Sequence, residues 1–200
     1  AELSGRDDLF FPTALPSTLY GKLVAETISR AGKGKQARIV HIGDLSNANY
    51  TMAIQASMEK ELVPQGMAAP VLLTFDSGKE FAALDTLVPL RGTVTDAFVL
   101  TANPINAALL AQNLRKEGHN GLIVLVPWAV NGDYIRNAGQ AGEGTLGLSL
   151  VKLDADNPVF RAFAESYQEA NGLEPGYFAQ YGYEEAWVFQ QVLIAAGKAD

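Results

Sequence analysis

Four short polar stretches hold the side chains best suited to chemistry. Gly43–Tyr50 (GDLSNANY) gathers Asp44, Ser46, Asn47 and Asn49 around one aromatic residue, Tyr50. Asp76–Glu80 has a carboxylate at each end. Thr101, Ala102 and Asn103 stand immediately before Pro104. Asn-Pro is a helix-opening pair, and the free backbone N–H groups of such an opening favour an anion or a carboxylate. Pro127–Asn131 presents Trp128, a broad flat face with a single N–H donor. Singly, each residue has a structural explanation, because Ser and Asn cap helices and aromatic rings pack. Together they are the residue types that hold and orient a small molecule.

Bond-making candidates are scarce. The absence of cysteine removes disulfides, thiolate nucleophiles and Cys-ligated metals together. Of the two histidines, His41 lies inside a strand-like run and is expected in the core or on a sheet face. His119 follows Gly118 and is expected as an exposed helix C-terminal cap interacting with the dipole. Neither has metal-site context. GLSL (Gly147–Leu150) is not a nucleophile elbow. GKGK (Gly32–Lys35) lacks phosphate-loop spacing and precedes a strand. GEGTLG (Gly142–Gly147) has the spacing G-x-G-x-x-G but leads into a strand, where a dinucleotide fingerprint must open a helix. With no nucleophile–base pair in view, the sequence predicts a binding protein rather than an enzyme, and calls for no metal or cofactor.

The elements that carry these stretches are legible. Ala37–Ile42, Pro70–Phe75, Ala97–Thr101 and Leu122–Val126 are apolar almost throughout, the pattern of strands buried on both faces of a parallel sheet. Between them run helical periods. One starts near Ser17, a predicted N-cap, and closes at Gly32; one follows Asn49; one opens at Asn103-Pro104 and ends at Gly118. The segment Glu80–Leu90 has helical period and is expected to break at Pro89. Strand and helix alternating over Ala37–Val126 predict right-handed βαβ units and a doubly wound, mostly parallel α/β sandwich. All four polar stretches then fall at the carboxyl ends of strands, where open α/β sheets bind ligands.

After Trp128 the rhythm changes. Five glycines interrupt Asn131–Leu150, a strand is predicted over Leu146–Val151, and helices open at Asn157-Pro158 and Pro175-Gly176. Asp154 and Asp156 are expected to cap the first of these. Both helices have apolar stripes, Phe160, Phe163, Ala164 and Tyr167 on one and Tyr181, Val188, Phe189, Val192 and Leu193 on the other. No later strand follows to receive them. A net charge of −7 over 200 residues repels phosphate backbones and argues against nucleic acid as a partner. No apolar run approaches the roughly 20 residues of a spanning helix.

The order of segments resembles a known family. FFPTALPSTLYGKLVAETI, ARIVHIGD with NANY, and TDAFVLTANPINAALLAQNLRKEG are followed by AGQAGEGTLGLSL, NPVFRAFAESYQEANGLEP and FAQYGYEEAWVFQQVLIAAG. From Leu9 to Gly197 this is similar to the type I periplasmic solute-binding proteins of branched-chain amino acid ABC transporters. The resemblance implies two α/β lobes joined by hinge crossings, with a ligand in the cleft between them. Residues 1–16, with a strand at Leu9–Ala14, would make the first crossing; 17–145 would form the C-terminal-type lobe. Leu146–Val151 would be the second crossing, and 152–200 would supply helices that return to the other lobe, whose remainder is absent. The chain is thus expected to be an internal portion of a longer protein exported to the periplasm.

The resemblance also places the site. Asn49 and Tyr50 match the aromatic loop of the family's "D…YG" pattern, with Thr51 here in place of the glycine and the loop one residue longer. Thr101, Ala102 and Asn103 match a second ligand-contacting edge. Pro127 and Trp128 fall where amino-acid binders set an acidic residue against the ligand's ammonium group. A buried ammonium without a counter-charge is costly, and no carboxylate follows until Asp133. The ligand is therefore expected to be a small amino acid or, better suited to Trp128, an aromatic carboxylate, and the protein partner an ABC transporter's membrane subunits. The rival readings are a cytoplasmic ligand-sensing regulator on the same fold and a small α/β enzyme.

Overall fold

Four strands form where the apolar runs predict them: β1 Ile39–Asp44, β2 Val71–Phe75, β3 Ala97–Thr101 and β4 Leu122–Leu125. The computed structural model describes residues 16–32, 36–79, 82–149 and 156–197, which fall into two compact units meeting between Ser149 and Leu150. In the first unit the strands join a short β5, Leu146–Gly147, in one parallel sheet of order β2-β1-β3-β4-β5. β1 runs two residues past its predicted end because Gly43 pairs with Thr101 and Asp44 with Phe75. β2 departs from the expectation of burial on both faces. It is an edge strand, and Val71 and Thr74 are exposed.

Side-chain alternation sorts the core into two layers. Val40, Ile42, Phe98, Leu100, Ile123 and Leu125 form one cluster with the buried faces of α3 (Ala83–Leu87), α4 (Pro104–Lys116) and α5 (Gly132–Ala138). The opposite register, including Ile39, His41 and Val99, is equally buried, and α1 (Tyr20–Arg30) and α2 (Ala48–Leu62) pack on each other and contact strands β4 and β1 respectively. Each large aliphatic chain so enclosed contributes about 1.5–3 kcal/mol. The α1–α2 crossing is close because Gly21 lies over the Ser57 backbone, where a Cβ would come within 2.2 Å of the Ser57 carbonyl carbon. Ser57 Oγ accepts from the Gly21 N–H at 3.0 Å and donates to the Thr18 carbonyl.

Helix boundaries follow the caps in most places. The Asn103 Oδ1 accepts from Asn106 N at 2.9 Å, Pro104 takes the first helical position, and Gly118 follows the last turn at φ +85°. The segment ending at Pro89 breaks as expected, α3 giving way to a 3-10 turn at Val88–Leu90. Two caps differ. Ser17 makes no side-chain cap; Ser17–Leu19 is a 3-10 turn and α1 begins at Tyr20. Asn49 lies inside the first turn of α2, after a 3-10 turn at Leu45–Asn47 that Asp44 caps. His119 is half-buried, its ring edge-on to Phe98 at 5.6 Å, so it packs where an exposed cap was expected.

The second unit contains α6, Pro158–Asn171, and α7, Tyr177–Ala195. Asn157 caps α6 through Val159 N and Phe160 N, in place of the expected Asp156. Phe163 of α6 meets Tyr183 of α7 with ring centroids 4.6 Å apart. Much of α7 remains exposed, including Trp187, Phe189 and Val192. The predicted crossing at Leu9–Ala14, residues 150 and 151 of the second, Asp154, Lys33–Lys35 and Glu80 lie outside the described residues. No described helix is long and apolar enough to cross a membrane.

Candidate functional site

The strand order reverses direction at β1: the chain steps to β2 on one side and then to β3 on the other. At such a switch point the two following connections diverge and leave a crevice above the strand ends. Here the connections are those leaving Asp44 and Thr101, the Tyr50 stretch and the α4 opening. The connection after β4, with Trp128 in a 3-10 turn Pro127–Ala129, is the next along the same edge.

Three aromatic rings meet at this edge. Tyr50 and Trp128 are half-buried with centroids 6.1 Å apart and planes at 82°. Tyr20, at the start of α1, stands edge-on to Tyr50 at 6.0 Å. Edge-to-face contact of this kind is a favoured aromatic geometry, and it closes the space between the rings. With the two planes near perpendicular, Tyr50 and Trp128 leave no slot for a planar ring between them. Tyr20 was not anticipated from the sequence.

The polar candidates divide by exposure. Asn49 is exposed on the first turn of α2, and Asn103 is half-buried with its Oδ1 spent on the cap. Capping leaves the Ile105 N–H at the mouth of α4 without a backbone partner among the described residues, beside the positive end of a thirteen-residue helix. Thr101, Ala102 and Pro127 are buried. The Thr101 hydroxyl lies 2.8 Å from His41 Nε2, so whatever Thr101 and Ala102 offer to a ligand comes from their main chain.

Carboxylates at this edge are already engaged. Asp44, fully buried, accepts from Ser46 N at 2.9 Å, Ser77 N at 3.0 Å and Ser77 Oγ at 2.5 Å, fastening the connections after β1 and β2 to each other. Asp76 pairs with Lys79 at 3.0 Å, and that contact, with the Gly78 N–H, holds its carboxyl below the usual range. Asp133 pairs with Arg136 at 2.6 Å. Each of these three carboxylates thus has at least one partner, Asp44 within the core and Asp76 and Asp133 in solvent-exposed ion pairs. No group of three His, Cys, Asp or Glu among the described residues forms a metal site.

A parallel sheet of this order, with polar loops gathered at its switch point, has the architecture in which open α/β sheets hold ligands. A family model described as periplasmic binding protein matches residues 8–200, and the chain belongs to that family. Its fold is that of the type I members. It is similar to the leucine-binding protein LivK of Thermotoga maritima, at 24% identity and a TM-score of 0.80, covering 94% of this chain and 52% of that one. It is also similar to an ABC transporter solute-binding protein of R. palustris in complex with benzoate, at 18% identity and TM-score 0.78, covering 94% and 50%. A third is a putative branched-chain amino acid ABC transporter protein of Silicibacter pomeroyi, at 19% identity and TM-score 0.74, covering 95% and 49%. The chain spans about half the length of these solved structures. A search of the curated proteins finds no match. Another similar solved structure is an extracellular ligand-binding receptor of Rhodopseudomonas palustris HaA2, at 21% identity and TM-score 0.74, covering 93% of this chain and 53% of that one.

Proposed function

We propose that this chain forms one wall of the ligand cleft in the extracytoplasmic solute-binding component of an ABC importer. The observation that carries the reading is the convergence of Tyr50, Trp128 and the α4 opening on the β1/β3 switch point. Tyr50 and Trp128 act as an apolar wall, with Pro127 setting the turn that presents the indole. Thr101, Ala102 and Asn103 deliver main-chain groups and a helix N-terminus to a polar or anionic end of the ligand, and Asn49 stands at the rim. Residues 17–145 are the lobe, Leu9–Ala14 and Leu146–Val151 the crossings, and the helices of 152–200 belong with the other lobe. Ligand contacts from both lobes stabilise the closed form, which the transporter's membrane subunits then read. The role is binding without catalysis, in the periplasm.

Between the two ligand classes, the engaged state of Asp44, Asp76 and Asp133 favours an aromatic carboxylate over a zwitterionic amino acid. Two neighbours carry names for leucine binding and a benzoate complex, so these two compounds are the natural probes. Thermal-shift measurement on the full-length protein should show benzoate raising Tm, because a ligand at a hundred times its Kd adds about 2.7 kcal/mol. Leucine raising Tm while benzoate does not would overturn the ligand assignment. No response to any aromatic acid or amino acid would overturn the binding role of this edge.

A further inference from the structure

His41 sits in the middle of β1, fully buried, where valine or isoleucine would pack at no polar cost. Its neighbours across the sheet are Leu72 and Val99. Both ring nitrogens are nevertheless engaged: Nδ1 lies 2.9 Å from Gln55 Oε1 and Nε2 lies 2.8 Å from Thr101 Oγ1. Gln55 Nε2 donates to the Pro70 carbonyl at 2.9 Å and to Glu59 Oε1 at 2.7 Å. Both amide hydrogens are thereby used, so Gln55 Oε1 is an acceptor and His41 Nδ1 holds the proton. Burial, only partly opposed by the Gln55 contact, lowers the imidazole pKa from 6.5 to about 4. The ring is neutral at neutral pH, its Nε2 is bare, and the Thr101 hydroxyl must donate to it.

A directed chain therefore runs from Thr101 through His41 to Gln55 and on to Glu59 and Pro70, crossing the layer between the sheet and α2. It starts at the last residue of β3, two residues before the cap of α4. Gly43, opposite Thr101, lacks a side chain, and Thr51 of α2 fills that space: a Cβ there would lie 2.3 Å from Thr51 Cγ2. Thr101, fully buried, is thus held by its hydrogen bond to His41 where the main chain leaves β3 toward Ala102 and Asn103.

We infer that His41 is a positioning residue for the ligand edge, acting through the Thr101 hydroxyl to fix the main chain of Thr101–Asn103. The inference rests on the reading that this edge contacts ligand. It is tested by a double-mutant cycle on the full-length protein, with benzoate and leucine titrated calorimetrically into the native form, His41→Leu, Thr101→Val and the double variant. Loss of one such hydrogen bond should weaken binding about tenfold in each single variant, with no further loss in the double one. Thr101→Ser, which keeps the hydroxyl, should retain affinity. A lowered Tm with Kd unchanged in both single variants would make His41 merely a packed core residue, and multiplying losses would separate it from Thr101. If neither probe binds the native protein, the ligand assignment fails, and amide exchange then judges the positioning role. Faster exchange at Ala102 and Asn103 in His41→Leu and Thr101→Val upholds it; unchanged exchange overturns it. Should His41→Leu fail to fold, Thr101→Val and Thr101→Ser alone decide by the same readouts.

Discussion

Removing the Asp44 carboxylate should unfasten the connections at one side of the β1 switch point. Asp44→Ala deletes three hydrogen bonds to a buried carboxylate, from Ser46 N, Ser77 N and Ser77 Oγ. Bonds to charged groups contribute about 1.5–3 kcal/mol each, while releasing the carboxylate from burial returns several kcal/mol of desolvation. Because Ser46 is exposed and Ser77 half-buried, water can reach the abandoned donors, and the net loss should be about 3 kcal/mol. Asp44→Asn keeps Oδ1 as an acceptor for both backbone N–H groups and lets Ser77 turn its hydroxyl, so it should cost only about 1 kcal/mol. Urea unfolding is followed by Trp128 fluorescence with the exposed Trp187 of the second unit replaced by phenylalanine, so that the signal reports the first unit alone. With a slope of about 2 kcal/mol/M, the alanine variant should lower the midpoint by about 1.5 M and the asparagine variant by about 0.5 M. An alanine cost below about 1 kcal/mol, or equal costs for both variants, would refute the idea that the geometry of these three bonds holds the two connections together.

Lowering the pH should expose the cost of burying His41. The unfolded chain takes up the imidazole proton near 6.5 while the folded protein resists until about 4, so the unfolded state binds more protons in that window. Stability is fully present above pH 6.5 and falls by about 3 kcal/mol as pH drops toward 4; urea midpoints for the native protein and His41→Gln should converge over that range, and parallel curves would count against it. Gly43→Ala should destabilise by about 2 kcal/mol through the clash with Thr51 Cγ2, and adding Thr51→Ser should recover most of it. The serine keeps the 2.7 Å bond to the Asp44 carbonyl, so a double variant no more stable than Gly43→Ala would place the strain elsewhere. Trp128→Ala should weaken benzoate about tenfold and Trp128→Phe less, since the flat face contributes about 0.5–1.5 kcal/mol beyond its area; equal affinity in both variants, by calorimetry, would remove Trp128 from the wall.

What the sequence determined by itself is local. The apolar runs of β1, β3 and β4 and the Asn-Pro openings of α4 and α6 depend on neighbours within a turn or a strand, so composition and spacing suffice to find them. The Asp44–Tyr50, Thr101–Asn103 and Pro127–Trp128 stretches follow from the same logic, because a loop after a parallel strand must emerge at the carboxyl edge. The missed boundaries at Ser17 and Asn49 are also local, but there 3-10 turns compete with the α-helix for the same side chains, and capping preference alone does not choose between them.

The tertiary structure decided everything that joins residues far apart in the chain. Nothing in the spacing of His41, Gln55 and Thr101 shows that one imidazole spans the other two, because the contact exists only once β3 lies beside β1 in register and α2 lies across them. The same holds for Asp44 and Ser77, which meet because β2 pairs on the other side of β1, and for Tyr20, which reaches Tyr50 only through the close Gly21–Ser57 crossing. Strand order set the switch point, and with it which polar loops share a crevice. Periodicity reports which face of an element is buried; only packing reports against what.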